Sequence, residues 1–200
     1  METELQLYKA WQDCQTSGER ECLQDKIQQF GNDKIKRILL TPLDTTQIND
    51  LMSRYQKIFD EKFIYRGTFS CDFYAQNPHL NLDLTKRYTS YVLNLDPHTE
   101  HGSHWVTIFI NRNKKQIEYF DSEGQKSNNR YINNFLNILK KKYKFDIVYN
   151  TRQFQFTGVQ CGFYCVYYII QRLSGKSFET VTKNPITDND ILLFRYSHLN

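Results

Sequence analysis

A chain of 200 residues that is 40% hydrophobic and 15% aromatic can bury a full core, which excludes intrinsic disorder. Eight glycines and four prolines exclude collagen-like and low-complexity classes, and the longest apolar stretch, at 162–170, is too short to span a bilayer. A net charge of +4 is mild and does not by itself call for nucleic acid. The first nine residues hold no secretory pattern, so the chain is expected in the cytosol, or packaged in something assembled there, and not secreted. Five cysteines are scattered, with no CxxC pairs. Neither a structural zinc site nor a disulfide framework is expected. The question is whether one cysteine is chemical.

In chain order, residues 2–30 read as one or two amphipathic helices. Leu5, Tyr8 and Trp11, then Leu23, Ile27 and Phe30, fall at helical spacing; Gly18 breaks the pattern and Gly31 ends it. Apolar residues from Ile48 to Phe59 recur at threes and fours, with Asp44 and Gln47 placed for a capping box, so 44–60 is expected to be a helix. Residues 66–87 show no period and read as an extended loop. Strands are expected at 91–95, 104–110 and 116–120, the last two a hairpin turning at 113–115, and another at 145–150. Helices are expected at 127–142 and at 161–173, the second apolar nearly all round and therefore central. Asn184-Pro185 opens a tail with a short apolar segment at 191–194. This is an α+β pattern in a single domain over 1–200: a helical extension (1–40), a catalytic core (41–174) and a C-terminal tail (175–200). The extension could be a lid, a substrate-docking module or plain core support.

The segment Gly158-Val159-Gln160-Cys161-Gly162 puts a cysteine where a loop meets a buried helix. Free amides and the positive helix end there stabilise a thiolate and can donate to an oxyanion. Gly162 leaves room for a substrate backbone. The plain alternative is a small buried cysteine at a helix start, and Cys165, one turn on, reads as packing. A nucleophilic cysteine needs a base. In a hairpin turning near Asn113, facing residues sum to about 225, which places His104 opposite Asp121. That pair is either a base with its orienting carboxylate or a satisfied polar pair at a strand end. His79, His98, His101 and His198 sit in loops or the tail. Gln155, six residues before Cys161, can reach an oxyanion, with Gln153 and Gln160 as competitors.

Together, Gly102-Ser103-His104-Trp105, Tyr119-Phe120-Asp121-Ser122, Gln155 and Gly158-x-x-Cys161-Gly162 resemble the adenain and SUMO-protease superfamily (clan CE) of cysteine peptidases, in order and in spacing. The resemblance implies a papain-like α+β fold of inverted order, a central mixed sheet with a buried helix starting at the nucleophile. It implies His104 as base, Asp121 as its orienter, Cys161 as nucleophile and Gln155 in the oxyanion hole. Trp105 would roof a narrow substrate path, with Gly158 and Gly162 at the substrate. No metal or organic cofactor is implied. Thr41-Pro42-Leu43-Asp44 lacks the tryptophan that SUMO and NEDD8 proteases carry there. Residues 66–72 are similar instead to a loop in proteases of double-jelly-roll DNA viruses, virophages and Polinton-type elements. The implied function is a maturation protease cutting capsid or core precursors after small residues such as Gly-Gly, in the virion and the host cytoplasm (the viral factory). The alternative is a deconjugase for SUMO- or ubiquitin-like modifiers. A DNA or peptide activator is compatible with the resemblance, and no membrane partner is expected. A nucleic-acid-binding accessory protein is a reading of another class, weakly supported by the lysines at 140–144 and the basic residues at 112–115.

Overall fold

The computed structural model describes residues 2–18 and 22–199, and burial for the side chains of 6–18 and 22–198. Among these, a five-stranded mixed sheet has the order β1-β2-β3-β4-β5, formed by Phe63–Phe69, Tyr88–Asn94, Trp105–Asn111, Gln116–Asp121 and Asp146–Tyr149. β1 runs parallel to β2, β2 to β4 form an antiparallel meander, and β5 runs parallel to β4. The three central strands are buried almost throughout because both faces are covered. Alternation decides which side chain goes where. Tyr91, Leu93, Val106, Ile108, Ile117 and Tyr119 point to one face, under Ile132, Phe135, Leu136 and Leu139 of helix α6 (Arg130–Tyr143). Val92, Phe109 and Phe120 point to the other, against Phe163, Tyr164, Val166 and Tyr168 of helix α7 (Cys161–Leu173).

Before β1 come α1 (Glu2–Ser17), α2 (Cys22–Gln28), α3 (Asp33–Leu40) and α4 (Thr45–Ile58); α5 is the short Phe73–Gln76, and α8 (Phe178–Lys183) and α9 (Asp188–Leu199) close the chain. α4 carries the expected capping box between Asp44 and Gln47. α6 is capped by Asn129 and ends on Lys144 in the left-handed conformation, with three lysines in its last turn meeting the negative helix end. A buried ion pair locks α7 to β4: the Arg172 guanidinium donates to both Glu118 carboxylate oxygens at 2.6 and 2.7 Å, and the Tyr168 hydroxyl adds a bond at 2.5 Å. Among the described residues no helix is long and apolar enough to cross a membrane.

Several expectations are corrected. Residues 63–69 form edge strand β1, with a register break around Gly67 at φ +129°, and α5 follows; the aperiodic burial of β1 gave no alternation to read. α3 lies in a stretch given no element, and the C-terminal tail contains α8 and α9. The buried face of α1 is Leu7, Ala10 and Cys14, whereas Tyr8 is exposed and Trp11 half-buried; Leu5 lies outside the described side chains. Leu23 and Ile27 are buried as expected. α1, α2, α3 and α9 build a separate small core, in which Cys14 and Cys22 form a disulfide that the cysteine count did not anticipate. Cys71 is a free cysteine and is buried.

Candidate active site

The hairpin register differs from the expected one by two residues. The turn occupies 112–115, so Asp121 pairs with Val106 rather than His104. His104 therefore lies just outside β3 and reaches Asp121 diagonally. Parity is preserved, which keeps both on one face, and diagonal neighbours remain within side-chain reach. The His104 Nε2 lies 2.7 Å from Asp121 Oδ1, with both residues at least nine-tenths buried. Asp121 is itself held: its amide donates to Asn150 Oδ1 at 2.9 Å, Asn150 Nδ2 returns a bond to its carbonyl at 2.7 Å, and the Glu123 amide donates to its carboxylate at 2.8 Å. This shell fixes the carboxylate before the histidine reads it.

With Nε2 occupied, Nδ1 is the nitrogen left for chemistry. Burial alone would lower the His104 pKa. The hydrogen bond to Asp121, the contact with the Cys161 sulfur and the charges of both outweigh burial and push it up to about 10. The imidazole is thus favoured as imidazolium beside Cys161. Glu123 Oε1 stands 4.0 Å from Nδ1.

Cys161 is the first residue of α7 and 7% exposed, at the bottom of a cleft whose wall includes Thr41–Asp44, Gly102, Ser103 and Trp105. Trp105 is fixed by its indole N–H, which donates to the Leu43 carbonyl at 2.9 Å. Cys165 faces the core, and burial pushes its thiol well up, as suits a packing residue.

Gln155 is positioned by Ser122, the residue after Asp121. The Ser122 carbonyl accepts from the amides of Phe154 and Gln155 at 2.7 and 2.9 Å, and its hydroxyl donates to Gln155 Oε1 at 3.0 Å. That orients the side-chain NH2 towards the loop before Cys161. One of its hydrogens bonds the Gly158 carbonyl at 2.9 Å, and the amide has a second to offer. The competitors point elsewhere: Gln153 Nε2 bonds the Gln155 carbonyl, and Gln160 Nε2 bonds the Leu39 carbonyl.

The two glycines expected at the substrate also meet neighbouring elements of the fold. A Cβ on Gly162 would lie 3.1 Å from Leu43 Cβ and 3.4 Å from Ile48 Cδ1, so this glycine admits α4 and the residues before it. Gly158 has φ +71°, and a Cβ there would meet Gln24 Oε1 of α2 at 2.6 Å. The missed residues are those that brace the site. Asp188, at the start of α9, accepts from the Phe156 amide and the Tyr164 hydroxyl at 3.0 and 2.7 Å, tying the Gln155 loop to α7. The Asp72 carboxylate bonds the His98 ring and amide at 2.7 and 3.0 Å, holding the β2–β3 loop at the cleft edge. Neither had a local signal; both are polar residues whose partners are far away in sequence. Among the described residues no three His, Cys, Asp or Glu side chains gather where a metal could sit.

The profile of the Ulp1 protease family, C-terminal catalytic domain, matches residues 86–197, which is more than half of the chain and contains His104, Asp121, Gln155 and Cys161. The chain belongs to this family of cysteine peptidases. R355 of Acanthamoeba polyphaga mimivirus, named as a thiol protease, is 33% identical over 162 residues, 74% of this chain and 53% of R355. The cysteine protease S273R of African swine fever virus (strain Badajoz 1971 Vero-adapted) is 34% identical over 116 residues, 54% of this chain and 42% of S273R. The chain thus spans about half the length of the curated relatives it matches. Among solved structures, the pS273R protease of that virus superposes with a TM-score of 0.60 at 22% identity, covering 99% of this chain and 89% of the other. The Ulp1 protease domain in complex with SMT3, the yeast ortholog of SUMO, gives 0.54 at 17% identity, covering 84% and 80%. These likenesses establish the fold of the Ulp1 family: a mixed sheet with the cysteine-bearing helix against one face.

Proposed function

We propose that the chain is a cysteine endopeptidase of viral origin that processes virion precursor proteins, with Cys161 as nucleophile, His104 as proton carrier, Asp121 as its orienter and Gln155 in the oxyanion hole. The observation that carries this reading is the 2.7 Å His104–Asp121 bond in a site where the imidazole is held protonated next to Cys161 at a helix N-terminus. The Cys161 thiolate attacks the scissile carbonyl, and the new oxyanion takes hydrogen bonds from the Cys161 amide and the Gln155 side chain. His104 Nδ1 gives its proton to the leaving amine, whose release leaves a thioester. The neutral imidazole then takes a proton from water, the hydroxide displaces the thiolate, and the acid product leaves.

The cleft supports a preference for small residues before the scissile bond. Trp105 is clamped to the Leu43 carbonyl, so an indole and the 41–45 segment border the approach to Cys161. Gly-Gly followed by a capsid or core segment is the sequence we assign, within virions or the cytoplasmic sites where they assemble. The viral relatives R355 and S273R support that setting. The second reading, deconjugation of SUMO-like modifiers, is favoured by the likeness to the SMT3-bound Ulp1 domain. To separate them, the purified chain is given Gly-Gly-x peptides and modifier fusions at equal concentration. The maturation reading expects peptides and fusions to be cut with kcat/KM within about tenfold, a gap of about 1.4 kcal/mol. Cleavage confined to a folded modifier would assign the chain to deconjugation instead.

A further inference from the structure

Arg195 on α9 is 2% exposed, yet among the described residues no carboxylate lies within ion-pair distance of it. A buried unpaired cation is costly, so its partners indicate what retains it. Nη1 donates to Gln160 Oε1 at 2.8 Å and Nη2 to the Thr41 carbonyl at 2.6 Å; the guanidinium lies 5.0 Å over the Phe163 ring, and Nε is buried without a partner. Gln160 is the N-cap residue of α7, directly before Cys161, and its own amide reaches the Leu39 carbonyl at 2.8 Å. Thr41 begins the opposite wall of the cleft, the segment that Trp105 grips through Leu43. One side chain therefore joins the residue before the nucleophile to the facing wall.

The charges around Cys161 make this cation matter. Besides His104 and Asp121, the fixed charges at the cleft are Asp44, Asp96 and Glu100 on its wall and Glu123 behind His104; His98 and His101 contribute imidazoles, and no lysine or arginine is among the lining residues. The carboxylates disfavour a thiolate. Burial lowers the Arg195 pKa, and the neighbouring Cys161 sulfur works against that shift; a cation at this place opposes the carboxylates from the protein side.

We propose that Arg195 is a positioning residue of the active site: it sets the spacing between the 41–45 wall and Cys161, and its unpaired cation favours the thiolate. The proposal rests on Cys161 being the nucleophile. The test compares Arg195→Met and Arg195→Lys with the parent chain, reading the pH midpoint of iodoacetamide alkylation at Cys161 and kcat/KM on a Gly-Gly peptide. Arg195→Met is expected to raise the midpoint by about one pH unit and to lower kcat/KM by about tenfold or more at neutral pH. Arg195→Lys restores the midpoint but only part of the rate, because an ammonium lacks the planar fork that bridges Gln160 and Thr41. If Arg195→Met does not fold, Gln160→Met keeps the cation and removes its link to α7. It should lower kcat/KM with the midpoint unmoved, and an unchanged rate overturns the proposal. Parent-like values in Arg195→Met, or a midpoint displaced equally in Arg195→Lys, also overturn it. Cys161→Ala runs alongside. If it still cleaves, the nucleophile assignment fails; if it is inactive while the Arg195 variants match the parent, the proposal alone fails.

Discussion

At Nε2 the His104 imidazole meets a carboxylate that is already bonded to the Glu123 amide, in a residue whose backbone Asn150 holds from both sides. The ring is therefore fixed in orientation and charge before any substrate arrives. His104 is held protonated to about pH 10, so the imidazolium is present below that value and is lost as pH rises through it. The alkaline limb of the kcat/KM profile is accordingly expected well above the ordinary histidine range near 6.5. Asp121→Asn removes the charge and weakens the bond that raises the pKa. It should bring that limb down by more than one unit and cost about a hundredfold or more in kcat/KM. A limb that stays in place would show that Asp121 does not set the charge of His104. With Gln155 as the oxyanion donor proposed above, Gln155→Ala is expected to lower kcat by about a hundredfold with KM little changed. A rise in KM alone would make Gln155 a substrate-binding residue instead.

The elements that carry these residues were legible to different degrees. Helix α7 was readable to the residue because its apolar run is long and begins at a glycine-flanked loop; α4 was readable because its period and its capping box agree. The meander strands were placed within a few residues of where they lie, but the hairpin register was two residues off, because a four-residue turn at 112–115 looks like a shorter one in sequence. The His104–Asp121 pairing survived that difference only because a shift of two preserves the face. Strand β1 escaped because edge strands need no alternation, and α3 and α9 escaped because their signals are short and their partners distant. Gln155 stood out only through its interval from Cys161, whereas Asp188, which secures its loop, had no interval to read. Asp188→Ala removes the carboxylate that ties the Phe156 amide to the Tyr164 hydroxyl, at a cost of about 1–3 kcal/mol by thermal or denaturant unfolding. At the sheet, Glu118→Ala strands the buried Arg172 charge and is expected to cost about 3–5 kcal/mol. A loss under about 1 kcal/mol in either variant, measured by denaturant titration, would show that the site tolerates the missing anchor.

Over the whole molecule, the terminal helices act together on the catalytic sheet. α1, α2 and α3 pack with α9, the Leu23 amide donates to Asn189 at 3.0 Å, and the Trp11 indole donates to Asp190 at 3.0 Å. From this unit Gln24 lies where a Cβ on Gly158 would stand, and Asp188 holds the Gln155 loop, so the terminal helices back the loop before Cys161. The Cys14–Cys22 bridge closes a loop of eight residues' separation in that unit, and a loop this short is worth about 2–3 kcal/mol of chain entropy. Reduction should therefore lower the melting temperature and also slow cleavage. Lowered stability with an unchanged rate would separate the extension from catalysis.

The central claim is that Cys161 forms a thioester with the substrate under the control of His104 and Asp121. Its most direct test is intact-mass detection during turnover of an activated Gly-Gly peptide ester. The expected result is a transient adduct equal to the acyl fragment, mapped to Cys161, absent in Cys161→Ala and strongly reduced in His104→Ala. Product formation with no adduct, continuing undiminished in Cys161→Ala, would contradict it.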